Sequence, residues 1–429
     1  MPRVLNWSRT QSCSPRELVQ PATEAEVVEL VRRARASDRR IKVVGARHSW
    51  SDIAMGEDLL VNLDRMQDLI EVDAAAGTAR VQAGIRLHRL IDALAERELG
   101  LTIIGSVTEQ SLAGVMSTGT HGSSLVHGNI PSFVVGLRMV AGTGEVIELR
   151  EGDRLFEAAR VGLGALGILT EVTIRVEPRF NLRETTESLS FAEALSSLDA
   201  IAASAEYVKL WWLPHTDAVM VFRYERTEAS GRLNPVAVWI DQWIVNKLVF
   251  AALLWLGGRI RRLSRGVNRL VAKTYLDRKP RVARSDKLLA LVMPPRHREM
   301  EYALPVERSA EALAAMRERV EALDVDGNFI QELRFVRADP GWMSPASERD
   351  SCQLGAYMAE APGIDDYFAG FEADMLALGG RPHWGKEFGI RGAELRALWP
   401  HAEAFVAAIA ELDPEGVFRN RFVERLLAD

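Results

Sequence analysis

The chain has 429 residues, more than one hydrophobic core ordinarily serves, and reads as two or three domains. Its 48% hydrophobic and 26% charged residues, with 32 glycines and 17 prolines, make a globular composition and exclude a disordered, collagenous or low-complexity protein. A net charge of −6 carries no nucleic-acid signature, and two cysteines outside any CxxC pair, Cys13 and Cys352, exclude a disulfide framework or zinc ribbon and fit a reducing, cytoplasmic setting.

Residues 1–21 are polar, hold Arg3, Arg9 and Arg16, and lack the apolar stretch of a secretory signal. Helical spacing over 24–36 is followed by a β-rich run at 40–44 that ends at Gly45, by strand patterns at 59–63 and 79–83, and by a helix over 86–99. A tract rich in Gly, Ser, Thr and His, 105–128, shows little regular pattern. Strands are predicted at 133–140 and 145–149, a helix near 155–161 and a strand at 168–176. Beyond Pro178 the texture changes, which places a domain boundary near 178–185. The later stretch predicts strands at 207–213 and 218–224, extended runs at 301–304 and 329–336, and a helix at 310–323. The turn-rich 413–420 predicts a C-terminus docked on another element. The fold class expected is α+β.

Charge is unevenly spread. Residues 258–284 carry ten basic side chains against one acid, or +9, leaving −15 for the rest. The stretch before it, 235–257, is apolar, but its longest uninterrupted run, 248–256, is nine residues, far short of the ~20 that span a bilayer. An apolar segment followed by a basic one is the pattern of peripheral membrane contact, here 235–284, on the inner face of a membrane. It is equally the pattern of a helix packed in a second domain with a solvated basic face.

Gly162, Gly164 and Gly167 form a literal GxGxxG, yet a helix-like run precedes it and a strand-like run follows, the reverse of a dinucleotide fingerprint. A tight helix-to-strand connection is expected instead. More informative is VVGARHSWSD from Val43, where a strand ends at Gly45 and small polar residues follow; successive amides in such a turn can cradle a pyrophosphate. LAGVMSTGTHGSS from Leu112 has the same character. Two such loops suit a large phosphorylated cofactor held by backbone, or are two ordinary surface loops. His121 and His127 have no carboxylate or Cys nearby in sequence, so no metal site is expected. Glu332 and Arg334 flank Leu333 on a strand pattern, so both point to one face, as a structural or a catalytic pair. Lys386, in PHWGK, is a candidate substrate contact or a snorkelling surface lysine.

NWSRTQSCSP at Asn6, VVGARHSWSDIA, LAGVMSTGTHGSSLVHG, LWWLPHTDAV at Leu210, MEYALP at Met300, ELRFVRAD, SPASERDSC at Ser344, RPHWGK and DPEGVFRN, in this order, resemble the aldonolactone oxidase group of the vanillyl-alcohol-oxidase-type flavoproteins, nearly end to end. The resemblance implies an FAD-binding α+β domain over 1–180, an α+β cap over 181–405 and a C-terminal segment, 406–429, returning to the first domain. It implies that FAD lies against Val43, Val44, Gly45, Ala46, Arg47, His48 and Ser49, and against Gly105, Ser106, Ser111, Gly114, Thr118, Gly119, Thr120, His121 and Ile168, with His48 joined covalently to the flavin. Glu332, Arg334 and Lys386 match the catalytic set, and Ser106, Tyr357 and His383 are expected at the substrate. The implied reaction oxidises an aldono-1,4-lactone of the L-gulono type by hydride transfer to the flavin, with O₂ reduced to hydrogen peroxide and an ascorbate-type product. Gly105 leaves room for O₂ and favours an oxidase over a dehydrogenase with another acceptor. Alditol oxidation is the alternative, disfavoured by Gly355 and Tyr357 where polyol enzymes carry a His and a Thr. A membrane-surface binding protein without turnover is the reading from a different class. Oligomeric state is not legible.

Overall fold

The computed structural model describes residues 3–252, 265–266, 268–269, 279–291, 293–323 and 329–428. Helix Glu24–Ala36 starts where the Thr23 hydroxyl accepts the Glu26 amide at 3.2 Å, and it buries Val27, Leu30, Val31 and Ala34 along one stripe. That stripe packs with Ile41, Leu59 and Val61 of a three-stranded parallel sheet, ordered Glu17–Val19, Leu59–Val61, Ile41–Val43. Next to it stands a five-stranded antiparallel sheet ordered Val146–Arg150, Val134–Ala141, Gly167–Arg175, Thr78–Gln82, Leu69–Asp73. The glycine motif is a helix-to-strand connection: helix Phe156–Arg160, then Leu163 and Gly164 with φ of 54° and 61°, then the strand from Gly167.

The second half builds an eight-stranded antiparallel sheet, ordered Arg281–Arg284, Asn181–Ser190, Ala218–Thr227, Tyr207–Trp212, Gln331–Val336, Ser351–Met358, Arg298–Pro305, Arg381–Pro382. Period-two alternation divides its faces. Leu210, Trp212, Leu333, Phe335, Tyr302, Leu304 and Leu354 pack under helices Ser309–Ala322 and Ile364–Ala377 as one apolar core. The intervening residues Lys209, Trp211, Glu332, Arg334, Glu299, Glu301 and Tyr357 therefore share the opposite face, where the site lies.

Two strands lie outside those predicted. Asn181–Ser190 is a strand because its ten residues pair throughout with Ala218–Thr227. Ser351–Met358 is also outside the predicted strands, although Cys352, Leu354, Ala356 and Met358 alternate with Ser351, Gln353, Gly355 and Tyr357 and face the apolar core. Helix Leu112–Ser117 lies inside the tract read as patternless, started by the Ser111 hydroxyl accepting the Gly114 amide at 3.3 Å.

The C-terminal chain folds back on the first half. Val417 and Phe418 enter the core of helix Glu24–Ala36, and the Ile41 amide donates to the Val417 carbonyl at 2.7 Å. Arg425 grips both Asp52 oxygens at 2.6 and 2.7 Å, and the Asn420 amide reaches the Met55 carbonyl at 2.9 Å. Of the apolar and basic segments, 253–264, 267 and 270–278 lie outside the described residues.

Candidate active site

A cleft opens in the first half, lined by backbone and side chains of both sequence-predicted loops. Val43, Val44, Gly45, Ala46, Arg47, His48 and Ser49 line one wall; Ser111, Gly114 and Thr118 line another; Leu163, Gly164 and Gly167 contribute bare backbone. The two loops touch: a Cβ at Gly45 would stand 2.4 Å from the Ser111 hydroxyl, and one at Gly114 3.0 Å from it. Arg47 takes a φ of 64°, turning the chain sharply before His48. Burial pushes the His48 imidazole down to about 4, so the ring is neutral, and its buried Nδ1 has no hydrogen-bond partner among the described residues. A long cleft of exposed backbone ending at an unpartnered neutral imidazole fits FAD held along its length.

Gly105, Ser106, Gly119, Thr120, His121 and Ile168 are not in the cleft wall. The Ile168 side chain is fully buried with Val27, Ile41 and Val140, because strand alternation turns it from the cleft while Gly167 and Leu169 on either side of it face the cleft. Gly105 abuts Thr120 and His121, a Cβ there lying 3.1 Å from the Thr120 methyl. The Ser106 carbonyl accepts the Leu291 amide at 2.8 Å, where the two halves meet. Gly119, at a φ of 71°, packs beside Pro345.

The loop after His48 is bound to the second half. Trp50 donates its amide to the Gly385 carbonyl at 2.6 Å and its indole N–H to the His297 carbonyl at 2.9 Å; the Ser51 hydroxyl donates to the Trp384 carbonyl at 2.7 Å. Lys386 Nζ stands 4.3 Å over the Trp50 ring and pairs with Glu299. The neighbouring Trp7 ring stacks on His48, 6.2 Å between centroids.

Across four strands the register aligns Trp211, Glu332, Gly355 and Glu301 in one row. Gly355 supplies no side chain, and a Cβ there would collide with the Tyr357 ring at 2.5 Å, so glycine gives Tyr357 its place between the two carboxylates. Glu332 accepts from the Trp211 indole at 2.8 Å and the Tyr357 hydroxyl at 3.1 Å. Arg334 donates to Glu301 Oε2 at 2.8 Å, and its Nε lies 3.4 Å from Glu332 Oε2. Glu301 Oε1 pairs with His121 Nε2 at 2.8 Å, across the junction between the halves.

Burial opposes ionisation of Glu332, yet Arg334, Lys209 and the Trp211 N–H hold its carboxyl below the usual range. Burial likewise opposes Glu301, which Arg334 and His121 hold well below that range. Arg334, despite burial, is held well above its ordinary value by Glu332 and Glu301. His383, pushed down to about 3 by burial, is a neutral ring 5.6 Å from His121.

Glu299, Glu301, Lys209, Trp211 and His297 belong to this cluster and escaped the sequence reading. The signal was present in Glu299-Met300-Glu301, the same charged-apolar-charged alternation as Glu332-Leu333-Arg334. His121, Glu301 and His383 also bring three ligand atoms within 4.8 Å, a grouping that no spacing reveals. Glu301 is already engaged by Arg334 and His121, and His383 Nδ1 by the Gly385 amide at 3.0 Å. Chemically, the face offers ionised carboxylates with fixed lone pairs beside three basic side chains, Arg334, Lys209 and Lys386, a setting for handling a hydroxyl and the negative charge it develops.

The D-arabinono-1,4-lactone oxidase family model matches residues 172–426, and an FAD binding domain matches 15–150. L-Gulonolactone oxidase of Bos taurus is 32% identical over 98% of this chain and 97% of its own. L-Gulono-1,4-lactone dehydrogenase of Mycobacterium tuberculosis is 32% identical over 98% of each chain. D-Arabinono-1,4-lactone oxidase of Kluyveromyces lactis is 30% identical over 89% of this chain and 84% of its own. Among solved structures, cholesterol oxidase from B. sterolicum superposes with a TM-score of 0.84 at 16% identity, covering 99% of this chain and 96% of that one, which shows a common two-domain flavoprotein fold. With its cleft in the FAD binding domain and its charged row on the second sheet, this chain belongs to the D-arabinono-1,4-lactone oxidase family.

Proposed function

We propose that this protein oxidises a hydroxyl of an aldono-1,4-lactone of the L-gulono type and passes the electrons to O₂, forming hydrogen peroxide. FAD, when bound, supplies the two-electron acceptor. The observation that carries the reading is the convergence of Glu332 and Arg334, on one strand, with Lys386, from a separate segment, on the sheet face joined to the His48 loop.

The roles follow from charge and fixation. Glu332, both oxygens held by Trp211 and Tyr357, accepts the substrate hydroxyl's hydrogen bond; its lowered pKa suits orientation more than strong base action. Arg334 neutralises negative charge developing on the substrate oxygen. Lys386, fixed by Glu299 and the Trp50 ring, holds a second oxygen of the lactone. Gly355 and Tyr357, where polyol enzymes carry a His and a Thr, favour a lactone over an open-chain polyol.

We also propose that His48 carries the flavin covalently. Its ring is neutral and its buried Nδ1 has no hydrogen-bond partner among the described residues, so His48 would hold the flavin, and a link made there would pass two protons and two electrons to O₂. The test is a hydrogen-peroxide assay on the yellow protein across aldonolactones and alditols, with acid precipitation to read flavin attachment. Turnover of alditols in preference to every lactone contradicts the substrate reading.

A further inference from the structure

The wall of the cofactor cleft contains a buried cation that no carboxylate neutralises. Lys42 is the middle residue of strand Ile41–Val43, whose Ile41 and Val43 pack against helix Glu24–Ala36. Strand alternation turns Lys42 to the other face, where it is 3% exposed and lines the cleft with the Gly45 loop, Leu163 and Gly164. Gly56 makes room for its stem, since a Cβ there would stand 2.8 Å from the Lys42 Cβ. At its tip, Nζ donates to the Leu163 carbonyl at 3.3 Å and the Gly164 carbonyl at 3.1 Å, both neutral acceptors.

Among the described residues no carboxylate pairs with Lys42. Asp52 and Asp413 act on it from a distance and are engaged elsewhere. Arg425 grips both Asp52 oxygens, and Asp413 accepts the Val417 and Phe418 amides at 2.7 and 2.8 Å. Burial outweighs both carboxylates and pushes the Lys42 ammonium down to about 7. A buried charge left in this state calls for an anion. Arg47, which also lines the cleft, is exposed to solvent and has no such need.

We propose that Lys42 is an anion-binding residue of this cleft, its ammonium supplying the counter-charge for the diphosphate of FAD. This takes FAD as the occupant of the cleft, whose loops otherwise offer the diphosphate uncharged backbone amides. Amides together with one lysine point charge make a phosphate site. An anion at Nζ keeps the ammonium protonated, so binding takes up a proton wherever the empty cleft leaves the amine neutral. FAD affinity is therefore level below pH 7 and falls above it, by up to about tenfold per pH unit, until the higher pKa of the occupied cleft is reached. Of the other titratable groups in the wall, His48 titrates at about 4, below this range, and Asp64 is held by Arg86.

The experiment is calorimetry of FAD binding to the His48→Ala protein stripped of flavin, in two buffers of different ionisation heat, between pH 6 and 9. The expected result is about one proton taken up per FAD at pH 8 and almost none at pH 6. Adding Lys42→Met should weaken FAD about tenfold to a hundredfold at pH 6, abolish the proton uptake and level the pH dependence. Riboflavin, which carries no phosphate, should bind both proteins alike. Should the methionine variant unfold, Lys42→Arg, charged throughout this range, should bind FAD equally at pH 6 and 9 without proton uptake. A folded methionine variant that binds FAD as tightly as its parent, with only its unfolding temperature lowered, overturns the proposal and leaves Lys42 a clamp on the 162–167 turn. Proton uptake near zero at pH 8 in the parent overturns it as well. Affinity is read without turnover, so failure of the lactone oxidase reading would leave these outcomes unchanged.

Discussion

Arg334→Met is the sharpest perturbation of the charged row. Methionine keeps much of the unbranched apolar stem and removes the guanidinium that lies 2.8 Å from Glu301 Oε2 and 3.4 Å from Glu332 Oε2. At an effective dielectric of ~20, charges about 3 Å apart attract by about 5 kcal/mol before desolvation is counted. Losing that attraction has two separable effects. The oxygen that becomes anionic during oxidation loses its counter-charge, which costs about 3 kcal/mol in the transition state, or ~100-fold in kcat/KM. The two buried carboxylates lose the cation they share, so the Glu332 carboxyl rises from its depressed position and its titration enters the pH profile of kcat/KM. The assay is kcat/KM against pH for wild type and variant, with bound flavin and the unfolding temperature measured in parallel, since breaking a buried pair costs ~3–5 kcal/mol of stability. A flavin-loaded variant within threefold of wild type, with an unchanged pH profile, refutes the electrostatic role.

Glu301→Gln should lower kcat more than it raises KM, because Glu301 orients Arg334 and His121 while Glu332 and Lys386 remain to bind substrate; a pure KM effect contradicts this. His48→Ala should retain flavin that acid precipitation then releases, whereas acid-resistant flavin in this variant removes the covalent assignment. Acidification provides a further check through His383, whose folded value of about 3 lies below the unfolded 6.5. Its contribution to stability is complete above pH 6.5 and is lost as pH falls toward 3, amounting to about 3 kcal/mol between pH 6.5 and 4 for a fully buried ring. Thermal unfolding of His383→Gln across that interval should therefore be flatter than that of wild type; identical slopes contradict the burial argument.

The legible parts of the site were those with a local signature. The Gly45 and Gly114 loops announce themselves because backbone must approach both a ligand and Ser111, and only small residues allow it. Glu332 and Arg334 share a face because strands alternate. Their partners were hidden because Glu301 meets Glu332 through Gly355, on a strand between them, and no local pattern specifies that sheet order. The His121–Glu301 pair spans 180 residues for the same reason. Asn181–Ser190 escaped because pairing, rather than apolar alternation, makes it a strand. Strand phase, which the sequence leaves open there, turns the Ile168 side chain to the core while Gly167 and Leu169 face the cleft.

The most direct measurement of the central claim is anaerobic mixing of the purified yellow protein with L-gulono-1,4-lactone, followed by admission of air. The account predicts bleaching of the flavin absorbance by the lactone, recovery on aeration, and one hydrogen peroxide per lactone oxidised. An FAD-loaded protein that stays yellow with every aldono-1,4-lactone offered would contradict it.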